Sequence, residues 1–481
     1  MKFFINCFLV LLVLTNFTKA EVITLEDALT ISITESSRGS IIEGNLEVAE
    51  KQYYAKKVNF YVPKVFLNGS LPSYSVNESF RFFGGATQKS LFKTTDFEYR
   101  SNIQLDQSLI TGGNLKVTAN LKRSDAKYPN TALSDTEINE LTQQGFFDFE
   151  FVQPILQPSS AKYELNNKHD DLEIARINQL EEIASLKEEV INAYIGVLKM
   201  SLEEKISEAK VETAKLNVEI DSLKFIDEVI SEEMWLESSS KYLDEELNQF
   251  DIVNQSEAKQ RSLRALLDID NDKKFDVMIP EKSEPISESE KNRLISNWEA
   301  SAPLKKAKHI YEKEKRAADF QAGSHGLTGN LTANYSMGRG TVEFDDTPND
   351  DIKTNSWGLA VNLTYPLFDG GSSKAAVNAA YITSEKSRLE FESVRKAIKA
   401  EIRDLVNNIG ISHRKLEILE KQIGLAKNKM DIAKYRYDDG QISKMSYNDS
   451  YIFFLEARVK YLEEIKKNLI DRAKLESKYI G

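Results

Sequence analysis

The segment FVQPILQPSSAKYELNN, residues 151–167, returns in altered form as LTYPLFDGGSSKAAVNAA at residues 363–380. In each copy a proline ends an alternating run and small residues lead into a helical pattern. Pro154 and Pro366 are 212 residues apart, and so are Phe225 and Tyr437, and Leu243 and Leu455. The chain is therefore an internal duplication. The same offset carries Gly481 onto Ile269, which predicts repeats over 21–270 and 271–481. Upstream the spacing changes, because Phe60 and Phe320, which precede the strand windows, are 260 residues apart. The first strand window is thus longer by about 48 residues, placed between Phe80 and Gly145.

Proline and glycine divide each repeat. No proline occurs between Pro158 and Pro280 or after Pro366, and between Gly145 and Gly323 the only glycine is Gly196. Proline breaks helices and interior glycine weakens them, so these stretches are reserved for long helices. Strands are expected over about 60–154 and 323–366, and helices over about 159–268 and 372–479. Apolar residues recur with a period near 3.5 through Ile177, Leu180, Ala184, Tyr194, Val197, Leu202, Ile206 and Ala209. A second stripe runs through Ile398, Ile402, Leu405, Ile409, Leu416, Leu419 and Ile423. That spacing is coiled-coil-like. A helix from Ser159 to Phe225 would reach roughly 100 Å at 1.5 Å per residue, too long for an ordinary globular domain. The partner, Ser372 to Arg436, is about as long. Shorter helices at Ser40–Phe60, Pro303–Phe320, Trp235–Asp268 and Met445–Tyr479 would stack in end-to-end pairs, antiparallel beside the long ones.

The first twenty residues read as a secretory signal peptide: Lys2, the apolar run Phe3 to Leu14, then Thr18-Lys19-Ala20. The run is too short for a membrane anchor, which needs roughly 18 apolar residues. The one cysteine, Cys7, lies inside it, so the mature chain is expected to have none and to lack disulfides and zinc–sulfur sites. Removing Lys2 and Lys19 leaves 61 basic against 75 acidic residues. Such an acidic surface argues against nucleic acid, whose phosphates need Lys and Arg. No cofactor motif is present.

The strand windows alternate. Leu327, Gly329, Leu331, Ala333 and Tyr335 share one face, and Trp357, Leu359, Val361, Leu363 and Tyr365 share another. In the first repeat Phe147, Phe149 and Phe151 oppose Asp148 and Glu150. The simplest reading is an antiparallel sheet with one face on a core. The helices, however, already use their stripes on one another, which leaves nothing to cover these faces. Strands about ten residues long with polar amides opposite suit a lipid-facing barrel with a wet lumen. One chain supplies too few strands for a wide barrel, so closure calls for an oligomer.

With ITLEDALTISI at residues 23–33, QPIL and YPLFDGG at the strand-to-helix junctions, and the terminal segment beginning YRYDDGQISKMSYNDS, the chain resembles the TolC-like outer membrane factors of the outer membrane efflux protein family. The resemblance spans essentially the whole mature sequence. It implies an α+β membrane protein, a homotrimer whose chains jointly form an outer membrane β-barrel continuous with a periplasmic α-helical barrel. It also implies a periplasmic adaptor (membrane fusion) protein and an inner-membrane transporter as partners. In that family a ring of aspartates and an aromatic–polar network near the second helix turn constrict the closed pore. Tyr437 and Gly440 match the tyrosine and glycine of that network, and Asp449 falls at the inner aspartate ring. Ser446 stands at the other aspartate position and Ile442 replaces a basic gate residue, while Glu228 and Met234 occupy the first-repeat positions of a glycine and an aspartate. Glu232, Glu233 and Glu237 keep the first turn acidic. Pro154, Pro366, Gly370 and Gly371 mark the strand–helix junctions.

The family core has four strands per chain, expected near Tyr61–Tyr74, Phe146–Gln153, Leu327–Tyr335 and Trp357–Tyr365. Two further alternating segments, Asn102–Leu109 and Leu115–Leu121, joined at Thr111-Gly112-Gly113, are expected to form a hairpin continuous with the sheet. Whether it enters a barrel wall is left open by the sequence; if it does, a trimer has eighteen strands, and if not, twelve. The four histidines are scattered and no nucleotide, protease or hydrolase motif occurs, so no enzyme is expected. Two functions remain: a passive exit duct of an efflux pump or type I secretion system, and a barrel-anchored structural or adhesive stalk. The duplication favours the duct, because a stalk needs one strand block.

Overall fold

The computed structural model describes residues 21–81, 90–129, 136–270, 275–345 and 350–479. The signal-peptide segment lies outside them. In chain order the elements are β1 (Glu21–Ile23), α1 (Leu25–Thr34), α2 (Ser37–Tyr61), β2 (Lys64–Arg81), β3 (Ser90–Ser108), β4 (Asn114–Pro129) and β5 (Glu137–Pro154). Then follow α3 (Ser160–Ile226), α4 (Glu232–Leu266), β6 (Phe275–Val277), α5 (Glu288–Ser296), a 3-10 turn, α6 (Ala302–Ser324), β7 (Thr328–Phe344), β8 (Asp350–Thr364), α7 (Ser372–Asp438) and α8 (Lys444–Glu476). The two long helices have 67 residues each, within two residues of their predicted limits. The chain divides into two compact units. One comprises residues 1–47, 175–307 and 392–481, and the other residues 48–174 and 308–391.

The first unit is helical and its core lies on α3. Leu186, Val190, Tyr194, Ile195, Leu202 and Ile206 are buried against Leu25 and Ala28 of α1, Leu263 of α4 and Leu455, Leu462 and Ile465 of α8. The 212-residue offset maps Leu186, Val190 and Val197 onto Ile398, Ile402 and Ile409 of α7, which form the second cluster with Ile286, Ile295, Trp298 and Leu475. Helix α8 runs antiparallel to α3, with Lys199 paired to Glu463 at 2.7 Å and Lys187 to Glu476 at 2.7 Å. Its end meets the start of α6, where Ala302 N–H donates to Lys478 O at 2.7 Å. In the same way the end of α4 meets α2, because the Asp268 carboxylate accepts from Ser37 N–H at 2.6 Å. These are the end-to-end helix pairs expected from the lengths.

The sequence reading missed β1, β6, α1 and α5. Three-residue strands are too short to show alternation, and a nine-residue helix shows little more than two turns of period. Yet β1 and β6 pair in parallel, Glu21 with Phe275 through Ile23 with Val277, and so tie the opening segments of the two repeats together. Tyr194 is fully buried beneath them. Its hydroxyl lies 2.8 Å from Ile23 O and 2.9 Å from Met278 O, and accepts from Met278 N–H at 3.0 Å. Burial pushes its phenol upward.

The second unit holds one antiparallel sheet of six strands in the order β2-β3-β4-β5-β7-β8. The strands run 15 to 19 residues, not the ten expected. Their apolar alternation is confined to about half of each strand, the first half of β2, β4 and β7 and the last half of β3, β5 and β8, while the backbone ladder continues, for example from Asn114↔Val152 to Pro129↔Glu137. Register places apolar residues in rows, the first across all six strands and the second across five, since Met337 pairs with Asn355 of β8. One row is Val65, Leu105, Val117, Phe149, Tyr335 and Trp357, and the next is Leu67, Ile103, Ala119, Phe147 and Met337. The reverse face carries Asn68, Asn102, Gln104, Asn120, Asp148 and Ser336, tied by bonds such as Asn120 Nδ2 to Asp148 at 2.8 Å and Ser336 Oγ to Asp148 at 2.6 Å. The apolar face is uncovered: Leu67 and Trp357 are each 79% exposed. Among the described residues no helix is long and apolar enough to cross a membrane.

Replacing Tyr194 by Phe leaves Met278 N–H without its partner, at a cost of roughly 1–3 kcal/mol. Thermal unfolding followed by circular dichroism should show a lower Tm for the variant. An unchanged Tm would mean that the β1–β6 tie does not depend on this hydroxyl.

Candidate functional site

The two helix turns of the first unit, residues 227–231 and 439–443, share one construction at an offset of 212. At the end of α7, Gly440 sits at φ 69°, Gly440 N–H donates to Tyr437 O at 2.9 Å and Gln441 N–H to Arg436 O at 2.7 Å. This is the Schellman pattern, which satisfies the last carbonyls of a helix with a left-handed residue. At the end of α3, Glu228 holds the same place at φ 56°, with Glu228 N–H on Phe225 O at 3.0 Å and Val229 N–H on Lys224 O at 2.8 Å. A side chain in that conformation costs roughly 1 kcal/mol that glycine avoids. Each following helix is capped by an equivalent serine: Ser231 accepts from Met234 N–H, and Ser443 from Ser446 N–H.

Across each turn two aromatic rings stack. Phe225 and Trp235 lie 5.7 Å apart at 8°, and Tyr437 and Tyr447 lie 5.8 Å apart at 15°. In the second turn the stack extends to Tyr451 at 6.3 Å, and the Lys444 ammonium sits over both Tyr437 and Tyr447, 5.6 and 5.2 Å from their centroids. Cation–π attraction at that range helps hold the turn. Burial, then the neighbouring Tyr447 and Glu208, push the Tyr451 phenol up.

Asp449 is exposed on α8. It borders a cavity of about 700 Å³ between α3, α4 and α8, which also presents Asp221, Asp244, Glu245, Lys210, Lys241 and Ser238. Four carboxylates face two ammonium groups there, so the cavity is net acidic. Ser238 and Lys224 both bind Asp221 and hold its carboxyl below the usual range. Glu237, the repeat equivalent of Asp449, is paired with Lys241 at 2.7 Å, which lowers its pKa. Glu232 and Glu233 are exposed in the first turn of α4, where acidic side chains favour the helix dipole. The structure therefore brings Asp449 to the cavity, and Tyr437 and Gly440 to the second turn. Glu232 and Glu233 stand apart on a helix end.

Sequence reasoning missed Asn448. It is 2% exposed and its Nδ2 donates to Glu212 at 3.0 Å and Thr213 at 3.1 Å, fastening α8 to α3 beside Asp449. A polar residue in a run of polar residues carries no periodic signal, so only the packing reveals it.

At the junctions, Gly370 and Gly371 have φ of 68° and 87°, which lets the chain turn from β8 into α7. Asp369 caps α7 with Gly371 N–H at 2.9 Å and Ser373 N–H at 2.8 Å. These bonds, Ser373 first, pull its carboxyl down to about 2. Pro366 lies in the same connection, whereas Pro154 ends β5, paired with Asn330.

In the second unit Asp170, His309 and Glu312 bring ligand atoms within 4.8 Å of one another. Both Asp170 oxygens are engaged, by His309 Nδ1 at 2.9 Å and Arg316 at 2.8 Å, and Lys308 lies 3.7 Å from Glu312. The Arg316 guanidinium already supplies the positive charge a metal would bring, so these residues read as an α3–α6 fastening.

Residues 301–477 match the family model described as outer membrane efflux protein. No curated protein matches the sequence. The fold is similar to the Campylobacter jejuni CmeC outer membrane channel, at 13% identity and TM-score 0.59, over 94% of this chain and 84% of that one. It is also similar to the outer membrane protein VceC of Vibrio cholerae, at 12% identity and TM-score 0.57, over 95% of this chain and 97% of that one. The open state of the Neisseria gonorrhoeae MtrE outer membrane channel aligns at 13% identity and TM-score 0.53, over 94% and 88% of the two chains.

The turns make opposite substitutions informative. Gly440→Ala should destabilise by about 1 kcal/mol, while Glu228→Gly should be neutral or stabilising by about 0.5 kcal/mol. Urea unfolding checks both, and a clear loss in Glu228→Gly would count against the shared turn.

The Asp369 cap should be sensitive to acid. Its folded pKa, about 2, lies below the ordinary 3.8, so its contribution is complete above the ordinary value and fades as pH falls toward the folded one. The difference in Tm between the native chain and Asp369→Asn should accordingly shrink over that interval; a constant difference would contradict the cap.

Proposed function

With an outer membrane efflux protein domain carried on the fold of outer membrane channels, we propose that this chain is one subunit of a homotrimeric exit duct in the outer membrane. The duct is passive and serves a tripartite efflux pump or type I secretion system. One observation carries the reading: a six-stranded sheet with an exposed apolar face, one row of which, Val65 to Trp357, crosses every strand, and whose edge strands, β2 and β8, have a strand neighbour on one side only among the described residues. Lipid accepts such a face only when the sheet closes and every backbone group is paired. Neighbouring chains supply that closure edge to edge.

The helices support assembly with further copies. Ile411, Ile418, Leu425 and Ile432 on α7 recur every seven residues and are exposed, as do Leu236, Leu243 and Phe250 on α4. Such heptad stripes are seams awaiting another helix. The reading includes export after removal of residues 1–20, two repeats over 21–270 and 271–481, and a helical portion in the periplasm. There the two helix turns meet an adaptor and an inner-membrane transporter.

In a trimer three copies of Asp449 surround one axis. Low-dielectric walls focus the field of such a ring and favour cations at the mouth. The stacked Tyr437 and Tyr447, Gly440 and the acidic Glu232, Glu233 and Glu237 at the start of α4 complete the proposed gate. Opening then needs a partner that binds the open state better.

Purified protein in planar bilayers should show single-channel conductance, and a purified oligomer that never conducts would favour a stalk instead. Asp449→Ala should lower cation selectivity and weaken block by divalent cations while leaving assembly intact. Unchanged selectivity and block in a conducting variant would remove Asp449 from the gate.

A further inference from the structure

The hairpin β3–β4 is part of the wall. It lies in the middle of the sheet, with β3 bonded to β2 from Lys64↔Asp106 to Arg81↔Ser90 and β4 bonded to β5 from Asn114↔Val152 to Pro129↔Glu137. A flap or plug would leave β2 and β5 to pair with each other; here they do not touch in the ladder. The hairpin also completes the apolar rows: Leu105 and Val117 stand between Val65 and Phe149, and Ile103 and Ala119 between Leu67 and Phe147. Its turn is seated at the start of α3. Gly112 has φ 90°, and a Cβ there would lie 2.7 Å from Ser159 Cβ. Thr111 Oγ1 donates to Gln153 Oε1 at 2.5 Å, and Gln153 Nε2 donates to Thr111 O at 3.0 Å. The turn is built into the strand-to-helix junction.

We infer that the outer membrane section of this duct is an eighteen-stranded barrel whose lumen admits polypeptide in locally folded form, an inference that rests on the trimeric reading above. Barrel radius grows almost linearly with strand number: at a spacing of about 4.8 Å and a tilt of about 40°, twelve strands give a radius of roughly 12 Å and eighteen roughly 18 Å. Allowing about 5 Å for inward side chains, the free width rises from roughly 14 Å to roughly 26 Å. A single helix is about 10–12 Å across and a helical hairpin about 20 Å, so only the wider barrel passes the hairpin. The face that would line it is rich in uncharged polar groups, among them Asn68, Asn102, Gln104, Thr118 and Ser336. The same face carries charge of both signs, Lys64, Lys116 and Lys122 against Asp106, Asp148 and Glu150, so it hydrates well and presents no run of a single sign to retain a passing chain.

The test uses cysteine placement in the purified oligomer, because the only cysteine, Cys7, precedes the described residues. Ser356 lies on the polar face, in the row of Gln104, Thr118, Asp148 and Ser336, and Val361 lies on the apolar one. Ser356→Cys should react with a small maleimide and also with a maleimide-tagged helical-hairpin peptide about 20 Å across. Val361→Cys, shielded by lipid, should react with neither at a comparable rate. Asn102→Cys repeats the experiment on the hairpin itself should the first variant assemble poorly. Labelling of the lumenal cysteines by the small reagent but more than tenfold slower labelling by the hairpin peptide, in protein that conducts, overturns the wide lumen and leaves the duct intact. Protein that neither conducts nor labels at the polar face overturns the duct reading itself, and this inference with it.

Discussion

A sheet that is apolar on one face and unpaired at both edges is unstable in water. The constraint is severe, because an orphaned backbone donor or acceptor in an apolar medium costs several kcal/mol. Among the described residues β2 and β8, of 18 and 15 residues, each have a strand neighbour on one side only. The proposed trimer answers that constraint by edge-to-edge closure, and the same closure would bring the exposed heptad stripes of α4 and α7 against neighbours. Each of the two otherwise unrelated faces would then be buried by one assembly step.

The duplication gives the helical unit its economy of parts. Equivalent positions form both turns: left-handed Glu228 and Gly440, capping Ser231 and Ser443, stacked Phe225–Trp235 and Tyr437–Tyr447. The copies differ in what surrounds this shared frame. The second turn adds Lys444 over its tyrosines and buries Asn448 against α3, whereas the first has Glu232 and Leu236 at those positions. One frame thus carries two surfaces of different charge and rigidity.

The two repeats also diverge in their strands, where the first carries the additional β3–β4 hairpin. Its insertion between β2 and β5 costs no disruption elsewhere, because a hairpin begins and ends at the same side of a sheet. The flanking strands are moved apart and each finds a new partner at once.

Much of this was legible in the chain itself. Proline and glycine exclusion placed α3 and α7 within two residues, and the 212-residue offset located equivalent turns, because helix breakers and repeats are local and one-dimensional signals. Alternation located the apolar half of each strand but not the other half, whose polar residues leave ladder pairing invisible to hydrophobic pattern. The strands β1 and β6, the buried Tyr194 hydroxyl and the role of Asn448 depend on partners 84 to 254 residues away, and the hairpin's place in the sheet depends on which strands it separates. Those contacts are decided by packing in three dimensions, since a hydrogen bond between distant segments leaves no period in either one.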